Sequence, residues 1–257
     1  MGLLKTWWAD SRGKVAVTLF VLWVAALIYQ FRPEFVWYPL VALLTSISFD
    51  VSLRKVTHGD WHVSLSSMVT GLLVGLIVDP TRGIPLVVVA SVLASLNKFF
   101  LRTQTGRHVF NPAAFGILTA SLLFGRPVAW WAASLGVIPI IILTVGMVPV
   151  LWGLRRHMQS ATFLLVYFFM ILMSSNITSA LRLTADGTVL LFALVMLPEP
   201  ITSVVKGNWR YLWGVLVGVL VVLQQYLKIA TVDPLLFALL GANIVGFIFV
   251  RNKPLTP

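Results

Sequence analysis

The sequence predicts an all-α integral membrane protein with about ten transmembrane helices. Apolar residues make up 59% of the 257 residues and charged residues only 11%, whereas about 25% of a typical soluble domain is charged. Ten apolar stretches follow one another between positions 14 and 251, and most approach the ~20 residues with which a helix crosses the hydrocarbon core. A soluble core does not need this much apolar sequence, so the bilayer is the solvent of this chain.

Charges, prolines and glycines set the boundaries of the spans. A Trp-containing segment at 1–13 lacks a small-residue cleavage site and is predicted to be an uncleaved interfacial segment, while 252–257 forms a short tail. Nine tryptophans, among them Trp130, Trp131 and Trp213, lie near predicted span ends, which is typical of an interfacial aromatic belt. The ten spans are predicted at 14–30, 36–53, 63–79, 84–101, 109–125, 128–152, 160–176, 188–204, 210–227 and 235–251.

The positive charges predict the orientation of the chain. With the N-terminus in the cytoplasm, fourteen of the nineteen Lys and Arg residues fall in cytoplasmic segments and five in outer segments. The positive-inside rule therefore predicts that both termini are cytoplasmic, in the cell inner (cytoplasmic) membrane. The net charge of +11 lies mostly where anionic lipid would be, so it requires no nucleic-acid partner.

Two landmarks indicate an internal repeat. An acid followed by proline ends an apolar span at Asp79 and again at Glu199, an offset of 120 residues. Asn111, also followed by proline, corresponds in the same way to Asp233 at an offset of 122. The nearly equal offsets predict two halves of five spans each.

The odd number of spans per half determines how the halves are related. The first half covers 14–125 and the second covers 126–251, so the second must enter the membrane upside down, as in inverted-repeat folds. Proline removes a helical N–H and frees carbonyls, so the third, fifth, eighth and tenth spans are predicted to break and meet at the pseudo-two-fold axis. Alternatively, each acid–proline pair is only an N-cap and first-turn proline at a membrane boundary.

The sequence lacks the usual residues of several redox sites. There is no cysteine, which excludes disulfides and Cys-ligated iron–sulfur clusters within this chain. The four histidines at positions 58, 62, 108 and 157 fall in predicted cytoplasmic loops or at helix ends, so neither a bis-His haem nor a metal site is predicted. No phosphate-binding loop or dinucleotide fingerprint occurs. Any electrons must therefore arrive through a partner.

Several motifs resemble one family of membrane subunits. The segment 109–116 reads VFNPAAFG, and further similarity is found in SSMVTGLL at 66–73, NKFF at 97–100 and EPITS at 199–203. These segments resemble the NqrB/RnfD family, the membrane subunits of sodium-pumping NADH:quinone reductase and of Rnf electron-transport complexes. The resemblance implies ten helices in two inverted five-helix repeats, similar to urea transporters, and electron transfer through flavins.

One feature of that family is missing. Its members carry FMN on a Thr in the outer loop after the fifth span, but here this loop is GRP at 125–127. The nearest lookalike, SAT at 160–162, lacks the preceding acid and lies at the predicted cytoplasmic end of the seventh span. No covalent FMN is therefore expected.

The resemblance also implies a non-covalent flavin, riboflavin or FMN, among the third, fifth, eighth and tenth spans. An amide can donate to and accept from the imide edge of the ring, so Asn111 is the leading candidate, with Ala113 and Ala114 allowing close approach. In the competing interpretation Asn111 caps the fifth helix and the alanines permit tight packing. The complete candidate set is Asn111, Ala113, Ala114, Thr202, Ser203, Asp79, Glu199 and Lys98.

Three functions follow as hypotheses. The first is an electron-transfer subunit, not a catalyst on its own, that passes electrons between a cytoplasmic donor and an outer flavoprotein. Its expected partners are membrane lipid, a flavinylated protein with an FMN-binding outer domain and other membrane subunits. The second is a small-solute transporter or channel of urea-transporter-like architecture. The third is a scaffold of a redox complex that retains the repeat without a cofactor.

Overall fold

The computed structural model of the chain describes residues 10–103, 106–204, 206–227 and 233–251. Within these ranges the regular structure is helical, apart from two isolated β-bridges that join Val78 to Val128 and Arg102 to His108. Most of the predicted interfacial segment at 1–13 and all of the predicted tail at 252–257 lie outside the described residues.

Among the described residues of the first half there are five helices. They are α1 (Ser11–Tyr29), α2 (Pro33–His58), α3 (Leu65–Ile77), α4 (Ile84–Phe100) and α5 (Pro112–Phe124), with a 3-10 turn at Pro80–Arg82 between α3 and α4. Three of these helices have an N-cap side chain: Asp10 accepts from the Arg12 N–H, Ser64 from the Ser67 N–H and Asn111 from the Ala114 N–H. These caps satisfy amide groups that have no intrahelical partner.

Proline inside α2 shapes the packing around it. Pro39 has no N–H for the carbonyl of Phe35, one turn earlier, and the indole N–H of Trp23 in α1 donates to that carbonyl at 2.7 Å. On another side of α2, a Cβ added at Gly75 would lie 2.5 Å from the Pro39 Cα. Glycine therefore lets α3 touch the α2 backbone, as small residues do between membrane helices.

The described part of the second half contains six helices, two of which continue as wider turns. They are α6 (Val137–Gly153), α7 (His157–Ser174), α8 (Ile177–Thr184), α9 (Gly187–Leu191), α10 (Trp209–Leu227) and α11 (Pro234–Gly246). A π-helical turn, Phe192–Met196, continues α9, and another, Phe247–Arg251, continues α11. In the first of these the Leu197 N–H donates to the Phe192 carbonyl at 2.9 Å, the i to i−5 bond of a π-helix.

Each predicted span contains a helix, but only some helices have the length of a full span. In the described part of the chain, α1, α2, α7 and α10 are long and apolar enough to cross a membrane by length and composition. The bent pair α8 and α9 with its π turn, at an angle of 48°, would add a fifth. The remaining apolar helices α3, α4, α5, α6 and α11 are shorter.

Two predicted spans have wrong boundaries. The span predicted at 128–152 begins as a helix only at Val137, because 128–136 folds as turns that include Trp130 and Gly136 at positive φ. The span predicted at 188–204 loses its helix after Met196, and turns occupy 197–203 around Pro198 and Pro200. A further short helix, α8, precedes it and was not predicted.

Three tryptophans are buried, so their assignment to an interfacial belt is wrong. Trp130, Trp131 and Trp213 expose 7% or less of their surface. Their indole N–H groups donate to the Asp233 carboxylate at 2.7 Å, to the Gly75 carbonyl at 2.9 Å and to the Leu197 carbonyl at 3.3 Å respectively. They serve as internal donors next to broken helices.

Candidate functional site

Asn111 joins three elements at the start of α5. Its Oδ1 accepts from the Ala114 N–H at 3.0 Å, which confirms the capping interpretation. Its Nδ2 donates to the Met196 carbonyl at 3.2 Å, and its backbone N–H donates to Oδ1 of Asn243 in α11 at 2.8 Å. An amide has two donor hydrogens and an oxygen with two lone pairs. Half of the side chain's bonding capacity thus remains for a further partner.

The acid of the second acid–proline turn points to the same region. Glu199 Oε1 lies 3.3 Å from Nε2 of His108, within hydrogen-bond distance, although 91 residues separate them. The Thr202 hydroxyl donates to the other carboxylate oxygen. His108 is 7% exposed. It was predicted to lie in a cytoplasmic loop or at a helix end with no role in a site, and its contact with Glu199 was not predicted.

Lys98 places a buried cation beside this turn. It lies in α4, and its Nζ donates to the Ser66 carbonyl at 3.1 Å. Lys98 is close enough to Asp50 and Glu199 to interact with both electrostatically. Asp50 is itself buried and accepts from Arg54 and from the Ser64 hydroxyl, each at 2.9 Å. The negative charges of Asp50 and Glu199 offset part of the cost of placing this cation in an apolar interior.

Arg156 holds the second acid–proline turn and was missed as a site residue. Its guanidinium donates to the carbonyls of Pro198 at 3.3 Å and Pro200 at 3.2 Å and to the Ser203 hydroxyl. Burial lowers the pKa of Arg156 from its ordinary value, and the neighbouring Glu199 acts in the opposite direction. The sequence contained only a weak indication, because a basic residue between two spans looks like a topology determinant.

The first acid–proline turn lies elsewhere. Asp79 accepts from the Thr81 N–H at 2.9 Å and from Arg82 Nε at 3.0 Å, which closes a local turn. It adjoins Val78, which bridges to Val128, just beyond the C-terminal end of α5. Thirteen helical residues, about 20 Å, separate that end from Asn111. Asp79 is therefore not brought to the other candidates.

Asp233 is near the Asp79 end of the molecule. Its Oδ1 accepts from the Leu236 N–H at 2.9 Å and caps α11, while Oδ2 accepts from the Trp130 indole. The backbone N–H of Trp130 in turn donates to the Ile77 carbonyl at the end of α3. Burial raises the pKa of Asp233, and the hydrogen bonds from Leu236 and Trp130 act against this.

A narrow cleft opens beside Asn111 and Glu199. Its cavity volume is about 80 Å³, and its walls come from α1, α3, the start of α5 and the turn after α9. Ala113 lines it, whereas Ala114 is fully buried in the packing of α5. Three other candidates do not line the cleft but contact residues next to it. Thr202 donates to Glu199, Ser203 accepts from Arg156, and Lys98 donates to the Ser66 carbonyl. The side chains that line the cleft are Arg12, Val15, Ser66, Val69, Thr70, Leu73, Asn111, Pro112, Ala113, Val195, Glu199 and Pro200.

The apolar helices and the polar side chains buried among them define a multi-pass membrane protein. A comparison with protein-family models matches residues 10–140 to the NQR2, RnfD, RnfE family, which is just over half of the 257 residues. The chain belongs to this family. The match confirms the resemblance and suggests a membrane subunit of Nqr- or Rnf-type complexes.

The matched region has a clear structural extent. It begins at α1 and ends within the first turn of α6, so it includes the whole first half and, with Asn111, one side of the cleft. Glu199, on the other side of the cleft, lies outside the matched region, and so does Arg156, which hydrogen-bonds the turn around Glu199. No curated protein matches the chain.

Proposed function

We propose that this protein is an electron-transfer subunit of a membrane oxidoreductase complex, and that it holds a non-covalent flavin in the cleft beside Asn111. Electrons pass across the membrane to or from flavoprotein partners. The observation that carries the proposal is the position of the cleft, where the family-matching start of α5 meets the broken end of α9. It is the point at which polar groups of both halves converge within an apolar helical protein.

The proposed frame is a pair of inverted five-helix repeats, 14–125 and 126–251, that form ten spans. The starts of α5 and α11, which correspond to each other in the proposed repeat, support this frame. Asn111 and Asp233 have almost the same backbone angles, φ −58° and ψ 120° against φ −57° and ψ 120°. Each precedes a proline and accepts a hydrogen bond from the N–H three residues later. Opposite orientation of the halves puts these starts at opposite ends of the molecule.

The cleft suits a flavin chemically. The isoalloxazine ring has apolar faces and an edge of donors and acceptors, and the cleft offers apolar walls with Ser66, Thr70, Asn111 and Glu199 among them. Ala113 adds little bulk beside the amide. Ligand pockets usually enclose about 300–1,000 Å³, more than this cleft has. The exposed Arg12 and the first turn of α1 at its mouth must therefore move aside on binding.

A bound flavin would supply reversible one- and two-electron chemistry. The chain's own residues would then have distinct roles. Asn111 would orient a polar edge, Lys98 and Arg156 would offset the negative charges of Asp50 and Glu199, and the apolar walls would limit water. The lack of a nucleotide-binding loop makes a partner necessary for electron delivery, and we propose a flavinylated outer-domain protein and further membrane subunits. Both termini would face the cytoplasm of an inner membrane.

Extraction of the bound flavin tests this function. Protein purified gently in detergent should release a fluorescent flavin on denaturation, close to one per chain, because no covalent bond retains it. The apoprotein should also take up added riboflavin or FMN. If the purified protein contains no flavin and binds none, electron transfer fails as the function and solute transport becomes the leading alternative.

A further inference from the structure

A second concavity lies between α1 and α6. It is a groove with a volume of about 500 Å³, several times that of the cleft beside Asn111. Valine and isoleucine side chains form its walls, among them Val17, Ile141 and Val145, which are 39%, 56% and 71% exposed. The groove is therefore open along the side of the helix pair that would face lipid.

Gly146 and Thr18 account for the floor of the groove. A Cβ added at Gly146 would lie 2.5 Å from Thr18 Oγ1, so the two helices touch there. The Thr18 hydroxyl donates to the Lys14 carbonyl at 2.9 Å, which leaves no unused donor at the floor. A hydrocarbon chain can occupy such a surface without leaving a buried polar group unsatisfied.

One end of the groove carries a positive charge. Lys14, in the first turn of α1, is the single charged residue of the lining. The same end is lined by Pro149 and Val150 near the C-terminus of α6. Among the residues that the structure describes, Lys14 forms no ion pair, and the Asp10 carboxylate nearby accepts from the Arg12 N–H as a helix cap. The ammonium group of Lys14 is thus available to a ligand.

We propose that this groove binds an anionic phospholipid, with one acyl chain along the apolar walls and the phosphate headgroup at Lys14. The charge of Lys14 and the apolar lining together match an amphiphile with a negative head. Lys14 belongs to the end at which most of the basic residues of the chain are predicted, where anionic lipid accumulates. No residue lines both the groove and the cleft, and the groove is open in the protein without a flavin.

Lipid retention in detergent tests the site. Full-length protein is incubated with equal amounts of phosphatidylglycerol and phosphatidylcholine, repurified, and its bound lipid is measured by native mass spectrometry. The wild type should retain phosphatidylglycerol preferentially. Lys14→Gln should lower the retention of phosphatidylglycerol about fivefold, the effect of one basic group near a phosphate, and leave phosphatidylcholine unchanged. Lys55→Gln, which removes a cation that packs on Trp61 away from the groove, is the control.

A second pair of variants tests the acyl-chain part of the site. Val145→Trp should fill the groove and reduce the retention of both lipids, whereas Val148→Trp on the same helix, outside the lining, should not. Equal retention of the two lipids by the wild type would overturn the proposal. So would unchanged binding in both Lys14→Gln and Val145→Trp, or a dimer that covers the groove and that Val145→Trp dissociates.

Discussion

The two acid–proline turns begin from the same sequence pattern and are closed by different groups. After α3, the Ile77 carbonyl accepts from the backbone N–H groups of Ala129 and Trp130, and Asp79 pairs with Arg82, three residues away. After α9, side chains take the equivalent role: Asn111 donates to Met196, Trp213 to Leu197 and Arg156 to Pro198. Glu199 meets His108 from the other half of the chain.

This difference indicates at which of the two turns the structure depends most on the identity of particular residues. Backbone donors can be supplied by many residues, so the first turn depends on a particular side-chain donor chiefly at Trp131, whose indole donates to the Gly75 carbonyl. Side-chain donors have a defined length and charge, so the second turn depends on particular residues. The cleft lies beside the second turn, and the experiments below are chosen to break or sharpen this contrast.

Reporter fusions should give the largest, all-or-none, result. Fusions after Arg155 and after Lys253 should report the cytoplasm, and one after Arg126 should report the outside, because fourteen of nineteen basic residues then lie in cytoplasmic segments. This result would put the two turns on opposite faces of the membrane. A cytoplasmic signal at Arg126 would rule out ten spans and the inverted repeat with them.

Arg156→Gln should destabilise the protein strongly. It leaves the buried carbonyl of Pro198 and the partly exposed carbonyl of Pro200 without a charged donor, and an unsatisfied buried group costs about 1–3 kcal/mol. We expect a loss of about 3 kcal/mol, read as a lowered midpoint of thermal unfolding in detergent by tryptophan fluorescence. Arg82→Gln, at the corresponding place in the first turn, should cost less than about 1 kcal/mol because its ion pair is partly exposed.

The neighbouring exposed Arg155 provides the matched control for Arg156. Arg155→Gln removes the same charge from the same loop and should leave the unfolding midpoint nearly unchanged. Equal shifts for Arg156→Gln and Arg82→Gln would show that the two turns are stabilised alike.

Asn111→Leu should lower flavin affinity by about 5- to 150-fold, which corresponds to roughly 1–3 kcal/mol for a lost directional partner. Asn111→Asp keeps the cap on α5 but replaces the donor hydrogens with an acceptor and adds a negative charge beside the Met196 carbonyl, so its unfolding midpoint is measured together with its flavin affinity. Thr202→Val should act in the same direction but more weakly, through Glu199. Flavin fluorescence after equilibrium dialysis measures all three.

The control for Asn111 must lie away from the broken helix. Ser160 is unsuitable because its hydroxyl donates to the Ala193 carbonyl in the π turn at 2.7 Å. Ser174→Ala, at the end of α7, should leave flavin affinity unchanged. A drop in affinity of similar size for Ser174→Ala and Asn111→Asp would indicate a general loss of folding.

The smallest expected effect concerns covalent flavin. Protein produced together with a flavin transferase should show no flavin fluorescence in a denaturing gel, and Thr162→Ala should change nothing. The Thr162 hydroxyl donates to the Met158 carbonyl at 2.7 Å and lies where α7 touches Gly214 of α10. A fluorescent band abolished by Thr162→Ala would place the start of α7 on the outer face.

Hydropathy predicted the helices well because burial in apolar surroundings depends mainly on composition. The Asx–proline pattern likewise predicted the caps at Asn111 and Asp233, since a short acceptor before proline is a local signal. Residues 128–136 were misread as helix because Trp and Val are apolar in turns as well as in spans. Arg156 and His108 were missed as site residues because their partners are 42 and 91 residues distant, and a sequence alone does not reveal such pairs.

Pro39 has a consequence for the biogenesis of the protein. In a lone α2 the Phe35 carbonyl, in the first turn of the helix, would lack its helical partner until the Trp23 indole of α1 reaches it. The first two helices are therefore expected to leave the insertion machinery as a hairpin rather than one at a time. We expect the membrane insertion of α2 to be coupled to this hydrogen bond with α1.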